Sequence, residues 1–391
     1  MSDKAPEESV PNPSSPAQEG PAAPSSPAQV APTPAAAAPS SPIPADRATA
    51  SSPAHADAAA APSSPSQAGA GASSPVAAAA GGVLPGNFWA EEPVLDDDTE
   101  SAMGESIASD TTSVKSSILR YRTLQGRRYH SEIGNASYWI SNDEQAMGSM
   151  DINHYGLNLG IGGKLFRIWA IDFADEHPQV QVTGTDISPI QSPWVPPNLK
   201  FEIEDCTLEW TFPPDSMDYI HMRWLLGSIT DWTALFKEAY RTCAPGGWVE
   251  NAESSAFVRS DHEEIPETAA LGQWGKIFAE GGKRIGRSFT IVEDDTQRKA
   301  MEEAGFVDIQ VFDWKRPLGA WPKDSTLKEI GSLAQAAWEA DIEGYILFIA
   351  NTLGWTRDEI QVFIAHLRYE LRTCKYLAYL NQRVVWGRKP E

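Results

Sequence analysis

The chain has 391 residues, a formal net charge of −22 and 41% hydrophobic residues; that is length for roughly two domains at ~150 residues each. Such acidity argues against a surface that grips nucleic acid, because that grip uses Lys and Arg to displace counterions, so no direct nucleic-acid binding is expected. Three scattered cysteines, Cys206, Cys243 and Cys374, with no CxxC pair, speak against a disulfide framework or a structural zinc site, and neither a membrane span nor a secretory leader is suggested.

Residues 1 to about 82 are mostly Ala, Pro, Ser, Gly and Gln, with Ser-Ser-Pro recurring, for example at Ser14-Ser15-Pro16 and Ser73-Ser74-Pro75. So few large apolar side chains cannot offset the entropy of ordering, which predicts a disordered tail. Its Ser-Pro sites suit proline-directed phosphorylation, or the tail is an unregulated spacer. Scattered aromatics and the acidic run Asp96-Asp97-Asp98 extend the linker to Ser117, and order is expected from Ile118 onward, giving a tail at 1–117 and one domain at 118–391. The basic and aromatic cluster Arg120-Tyr121-Arg122 and Arg127-Arg128-Tyr129-His130, ahead of Tyr138 and Trp139, reads as a solvated surface supported by cation–π contacts or as a ligand contact.

Past Tyr155 the pattern alternates. Apolar residues at helical spacing predict a helix over 168–174, closed by His177 and Pro178. Short strands are predicted over 180–186, ending on Asp186, over 200–205, ending on Asp205, and over 217–222 after the Pro213-Pro214-Asp215 turn. A helix over 232–241 leads through a turn at Pro245, Gly246 and Gly247 into a strand at 248–250. Such alternation implies βαβ units and a mostly parallel sheet with helices on both faces, whose ligands bind beyond the carboxyl ends of the strands. Asp186 is placed where one carboxylate can accept from both ribose hydroxyls of a nucleotide, or else where it caps the following turn. Asp205 repeats that placement one strand later, as an adenine contact or a solvated strand-end acid.

The runs 169–178, 184–191, 194–198, 201–205, 210–216, 227–232, 244–248, 303–306 and 385–390 together resemble the class I S-adenosylmethionine-dependent methyltransferases, in particular the fungal LaeA-like group associated with control of secondary metabolism. The likeness spans roughly residues 125–390. It implies an α/β, Rossmann-like sheet and S-adenosylmethionine as cofactor, with Asp186 at its ribose, Asp205 at its adenine, and Ile187 and Cys206 also in the cofactor site. Tyr219 to His221 would face the methyl group, and a last hairpin would come from 307–311 and 383–386. Helical residues at about 327–372 would form a lid over the substrate pocket or simply pack as helices. The resemblance also implies a small-molecule or protein methyl acceptor, a regulatory protein complex for some members, and a place in nucleus or cytoplasm.

One departure stands out. The family carries a first strand and a GxGxG loop just before the helix at 168–174, whereas this chain reads Leu165-Phe166-Arg167 there. Glycines are needed because backbone must turn sharply and approach the cofactor closely. Either residues 157–163 supply a short strand and turn, with Gly160 and Gly162 as the close-approach residues, or about twenty residues with the first strand have been lost, which would leave its neighbours without partners on one side. Methyl transfer from a sulfonium needs alignment and desolvation more than a base. His221 is the candidate base, or a structural histidine; Arg223 and Glu250 are expected at the same pocket mouth. Trp194 either stacks on the adenine or caps the core. Two readings therefore compete: an active methyltransferase, and a methyltransferase fold retained as a scaffold.

Overall fold

In the computed structural model the described residues are 82–91, 120–131, 138–160, 169–191 and 194–391, all within one unit, Ser73–Glu391. The elements run α1 (Gly86–Glu91), β1 (Arg122–Leu124), β2 (Arg127–Tyr129), α2 (Glu144–Gly160), α3 (Trp169–Glu176), β3 (Val182–Asp186), β4 (Leu199–Ile203), β5 (Met217–Arg223) and α4 (Trp232–Thr242). They continue with β6 (Cys243–Arg259), α5 (Ala270–Ile285), α6 (Thr296–Ala304), β7 (Val307–Pro317), α7 (Ser325–Thr352), α8 (Arg357–Arg372) and β8 (Tyr379–Arg388).

The strands fall into separate groups. A four-stranded sheet has the order β5-β6-β8-β7, with β5 parallel to β6 and the other pairs antiparallel. β3 and β4 form a parallel pair of their own, and β1 and β2 a short hairpin. Among the described residues no strand joins β3 to β5. Of the two accounts of the altered glycine loop, the one that draws a strand from 157–163 is overturned for its described part, because residues 157–160 complete the helix α2. Residues 161–168, Gly162 among them, lie outside the described residues.

Local chemistry explains the elements. Asp231 caps α4 by accepting from Ala234 N at 2.9 Å, and Thr356 with Glu359 forms a reciprocal capping box on α8. The expected turn at Pro245 to Gly247 is instead a bulge within β6, where the register jumps from Met217↔Cys243 to Tyr219↔Trp248. Gly246 has φ +78, and a Cβ on Gly247 would lie 2.8 Å from the Asp218 carbonyl oxygen, so both positions exclude a side chain. α3 covers one face of the β3–β4 pair through Ala170, Ile171 and Ala174 against Val182 and Leu199. α4 and α6 cover one face of the larger sheet around Phe236, Val249 and Met301, all essentially fully buried. α5, α7 and α8 build the largest core, around Ile277, Ile346 and Phe363.

Two sequence expectations are corrected here. Order begins before Ile118: α1 lies on α8, Trp89 meets Phe363 edge to face at 4.9 Å, and Leu84 N donates to Gln273 Oε1 at 2.8 Å. The basic cluster at 127–130 is no solvated surface. Arg127 is buried and donates to both oxygens of Asp341, at 2.6 and 2.9 Å, and of Asp143, at 2.7 Å each. Burial alone would lower its pKa, yet the two carboxylates outweigh burial and raise it. Asp341 also breaks α7, with φ −152 and ψ 46, and accepts from Gly344 N at 3.0 Å to restart the helix. The 327–372 segment is thus two helices, α7 bent at Asp341 and then α8. Among the described residues no helix is long and apolar enough to cross a membrane, and no cluster of His, Cys, Asp or Glu is arranged to hold a metal.

Candidate functional site

β3 and β4 run parallel and in register, Asp186 opposite Ile203, so their carboxyl ends open on the same side. Glu204 N donates to Asp186 O at 3.0 Å and ties the two ends together. The Asp186 carboxylate accepts from Ser188 N at 2.8 Å; burial pushes its pKa up to about 6, against the opposing pull of the Ser188 and Ile187 amides. One strand over, Asp205 Oδ1 accepts from Thr207 N at 2.9 Å and from Thr207 Oγ1 at 2.7 Å. Its second oxygen, Oδ2, is buried with no hydrogen-bond partner, an arrangement that costs free energy until a donor arrives. Cys206 follows directly; burial, and next the charges of Asp205 and Asp186, push its thiol up to about 12. Asp186, Ile187, Asp205 and Cys206 are therefore brought together, as the sequence suggested.

β5 presents Tyr219, His221 and Arg223 on one face, with Ile220 and Met222 turned to the α4–α6 core. His221 lies opposite Glu250 in the sheet, and its Nδ1 is 2.9 Å from Glu250 Oε1, with the imidazole 2% exposed. Burial lowers its pKa and outweighs Glu250, so the ring is neutral near pH 7 and donates from Nδ1. Arg223 donates to His154 Nδ1 of α2 at 2.6 Å and lies over Trp224, with burial bringing its pKa down to about 10. Phe173 of α3 stacks on Tyr219 at 6.3 Å, linking the small strand pair to the larger sheet.

Other sequence candidates fare differently. Trp194 is 68% exposed, which removes the core-capping alternative. Gly160 ends α2, and a Cβ there would come within 2.2 Å of the Trp314 ring, so its lack of a side chain serves helix packing against β7 and not a cofactor loop.

Beyond the end of β5 and against residues 253–256 of β6 lies a cavity of about 700 Å³, its mouth included, walled by Trp139, Trp224, Trp274, Phe278, Trp338 and Tyr345. The helices α2, α5 and α7 roof it. Glu253 lines it and is held by Leu225 N at 2.9 Å, Leu226 N at 3.0 Å and Asn251 Nδ2 at 3.0 Å; burial raises its pKa to about 7. Sequence reasoning passed over Glu253 and Tyr138, whose phenol is pushed up first by burial and next by Asp186. A signal existed for the first: Val249, Asn251, Glu253 and Ser255 share the buried face of β6, and a carboxylate on such a face needs a reason. For Tyr138 there was none, since its neighbours are distant in the chain.

A family model described as a methyltransferase domain matches residues 160–311, which contain β3 to β6 with Asp186 and Asp205. Methyltransferase pytC of Aspergillus terreus is 31% identical over 302 residues, covering 72% of this chain and 92% of that protein. The chain belongs to the LaeA-like class I methyltransferases. A second relative in this family, the secondary metabolism regulator LAE1 of Cochliobolus heterostrophus, is 29% identical, covering 68% of this chain and 94% of its own length. Among solved structures, phosphoethanolamine N-methyltransferase 2 of Haemonchus contortus with S-adenosyl-L-methionine aligns at a TM-score of 0.34 and 18% identity, over 56% of this chain and 46% of that one. The mixed α/β, Rossmann-like fold is that of this methyltransferase family.

Proposed function

We propose that this protein binds S-adenosylmethionine across the carboxyl ends of β3 and β4 and transfers its methyl group to a small-molecule or protein acceptor. One observation carries the reading: two carboxylates stand at adjacent parallel strand ends, and the inner one keeps a buried acceptor oxygen with no donor. The residues fit the cofactor. Asp186, with the Ile187 backbone, would take the ribose hydroxyls, and Asp205 Oδ2 would take an N–H from the adenine edge. When bound, the cofactor supplies an electrophilic methyl group on a sulfonium. The chain's own contribution is to orient it, to exclude water with the aromatic walls beside β5, and to hold neutral His221 through Glu250 near the strand end. Trp194, 68% exposed on the segment before β4, would stack on the adenine. The acceptor's meeting place is the aromatic cavity.

A second reading is favoured by the strand pattern: β3 and β5 each lack a partner on the facing side among the described residues, where the family carries its first strand and glycine loop. On that reading the chain is a scaffold with a methyltransferase fold. Calorimetric titration of S-adenosylhomocysteine into the full chain separates the two, with circular dichroism as the check of folding. Micromolar binding, lost in Asp186→Asn and weakened in Asp205→Asn, is the expected result. A folded chain that takes up no S-adenosylhomocysteine would leave the scaffold.

A further inference from the structure

Arg316, at the end of β7, is 3% exposed and lines the aromatic cavity. Its hydrogen bonds go to a neutral partner: Nη1 donates to Asn153 Oδ1 and Nη2 to Asn153 O at 3.5 Å, both on α2. Nε is buried with no partner. Glu253 lines the same cavity, but its oxygens are taken by Leu225 N, Leu226 N and Asn251, and no ion pair joins it to Arg316. A guanidinium out of water without a counter-ion is unusual, because desolvating a charge is unfavourable unless a partner offsets it. Arg127, equally buried in the same domain, shows the normal solution, with two carboxylates around it. Burial accordingly holds Arg316 down at about 10.

We propose that the cavity receives a planar, apolar small molecule carrying a carboxylate, which docks on the Arg316 guanidinium while its ring system lies between Trp274, Trp338 and Trp139. Its lining combines aromatic walls with a few polar groups, as small-molecule sites do. The guanidinium fork suits a carboxylate, since it offers parallel N–H donors in one plane. Gly156 of α2 leaves room for the guanidinium: a Cβ there would sit 3.1 Å from Arg316 Nη2. The proposal rests on the methyltransferase reading only in taking this ligand to be the methyl acceptor.

The test uses a matched pair of probes, 6-hydroxy-2-naphthoate and 6-hydroxy-2-naphthamide, titrated calorimetrically into the full chain with and without S-adenosylhomocysteine. The acid should bind roughly 10-fold tighter than the amide, the ratio expected of one buried charge-assisted contact. Arg316→Gln should bring the acid down to the amide, and Arg316→Lys should keep part of the preference. Equal binding of acid and amide by the unaltered protein, or binding of neither, overturns the proposal without need of any variant. So does competition between the acid and S-adenosylhomocysteine, which would assign the guanidinium to the cofactor. Cofactor binding without acid preference sinks this inference alone; acid preference without cofactor binding sinks the methyltransferase reading alone.

Discussion

The two parts of the sheet are built to different standards. In the larger part β6 and β8 each have a partner strand on both sides, and helices bury side chains such as Phe236, Val249 and Ile277 completely. The smaller part has two five-residue strands, one eight-residue helix, and a buried set of only Ala170, Ile171, Ala174, Val182 and Leu199. Yet the smaller part carries Asp186 and Asp205, the carboxylates expected to hold the cofactor. The difference teaches that the carboxylates proposed to recognise the cofactor sit on the less buried, less paired half, while the aromatic cavity sits on the well-supported one. Local opening follows buried apolar contact and backbone pairing, so the smaller half should open first.

The sharpest way to test how the larger half is held is to remove Arg127, the buried cation paired with two carboxylates. Arg127→Ala leaves Asp341 buried without its counter-ion at the break in α7, and the loss should be about 3–5 kcal/mol in denaturant unfolding. A loss below about 1 kcal/mol would mean that water or Asn and Ser groups take over the role. The comparison itself is broken or sharpened by Leu199→Ala, worth about 2–3 kcal/mol for a buried leucine at the start of β4. In native-state hydrogen exchange it should lower protection in β3 and β4 and leave β6 and β8 unchanged. Equal loss in all four strands would show one cooperative unit.

The smallest expected effect concerns pH. The folded-state pKa of Glu253, about 7, lies above its ordinary value of 4.5. A raised carboxyl favours folding most below 4.5, and that contribution is lost as pH rises through about 7. Between pH 6 and 8 the loss from this group should be about 1 kcal/mol by linkage. In Glu253→Gln that part of the slope should vanish from the pH series of melting curves; an unchanged slope would place the titration elsewhere.

Much of the fold was legible. Val182–Asp186 and Leu199–Ile203 announce themselves by β-branched or alternating residues and a strand-end acid, α4 falls where a helix over 232–241 is expected, and the β7–β8 pairing, Val311 opposite Val385, follows from the family resemblance. Asp186 and Asp205 could be picked out because strand ends in such sheets face the ligand. Gly160 misled, because a glycine that admits a tryptophan ring and one that admits a cofactor look alike in sequence. The cluster at Arg127 misled for the opposite reason: exposed and buried arginines differ only in what lies opposite, here Asp341, 214 residues away. His221 could be singled out at a strand end, but its state depends on Glu250 across the sheet.

By itself, then, the sequence determined what short-range chemistry governs: period, strand-end acids and membership in a methyltransferase family. Only the tertiary structure decided which charges are paired and which are not. Arg127 meets two carboxylates, Arg316 meets an amide, and Asp205 keeps one buried oxygen without a donor. The physical reason is that desolvation and pairing are properties of an environment assembled from distant segments, and no local pattern records them.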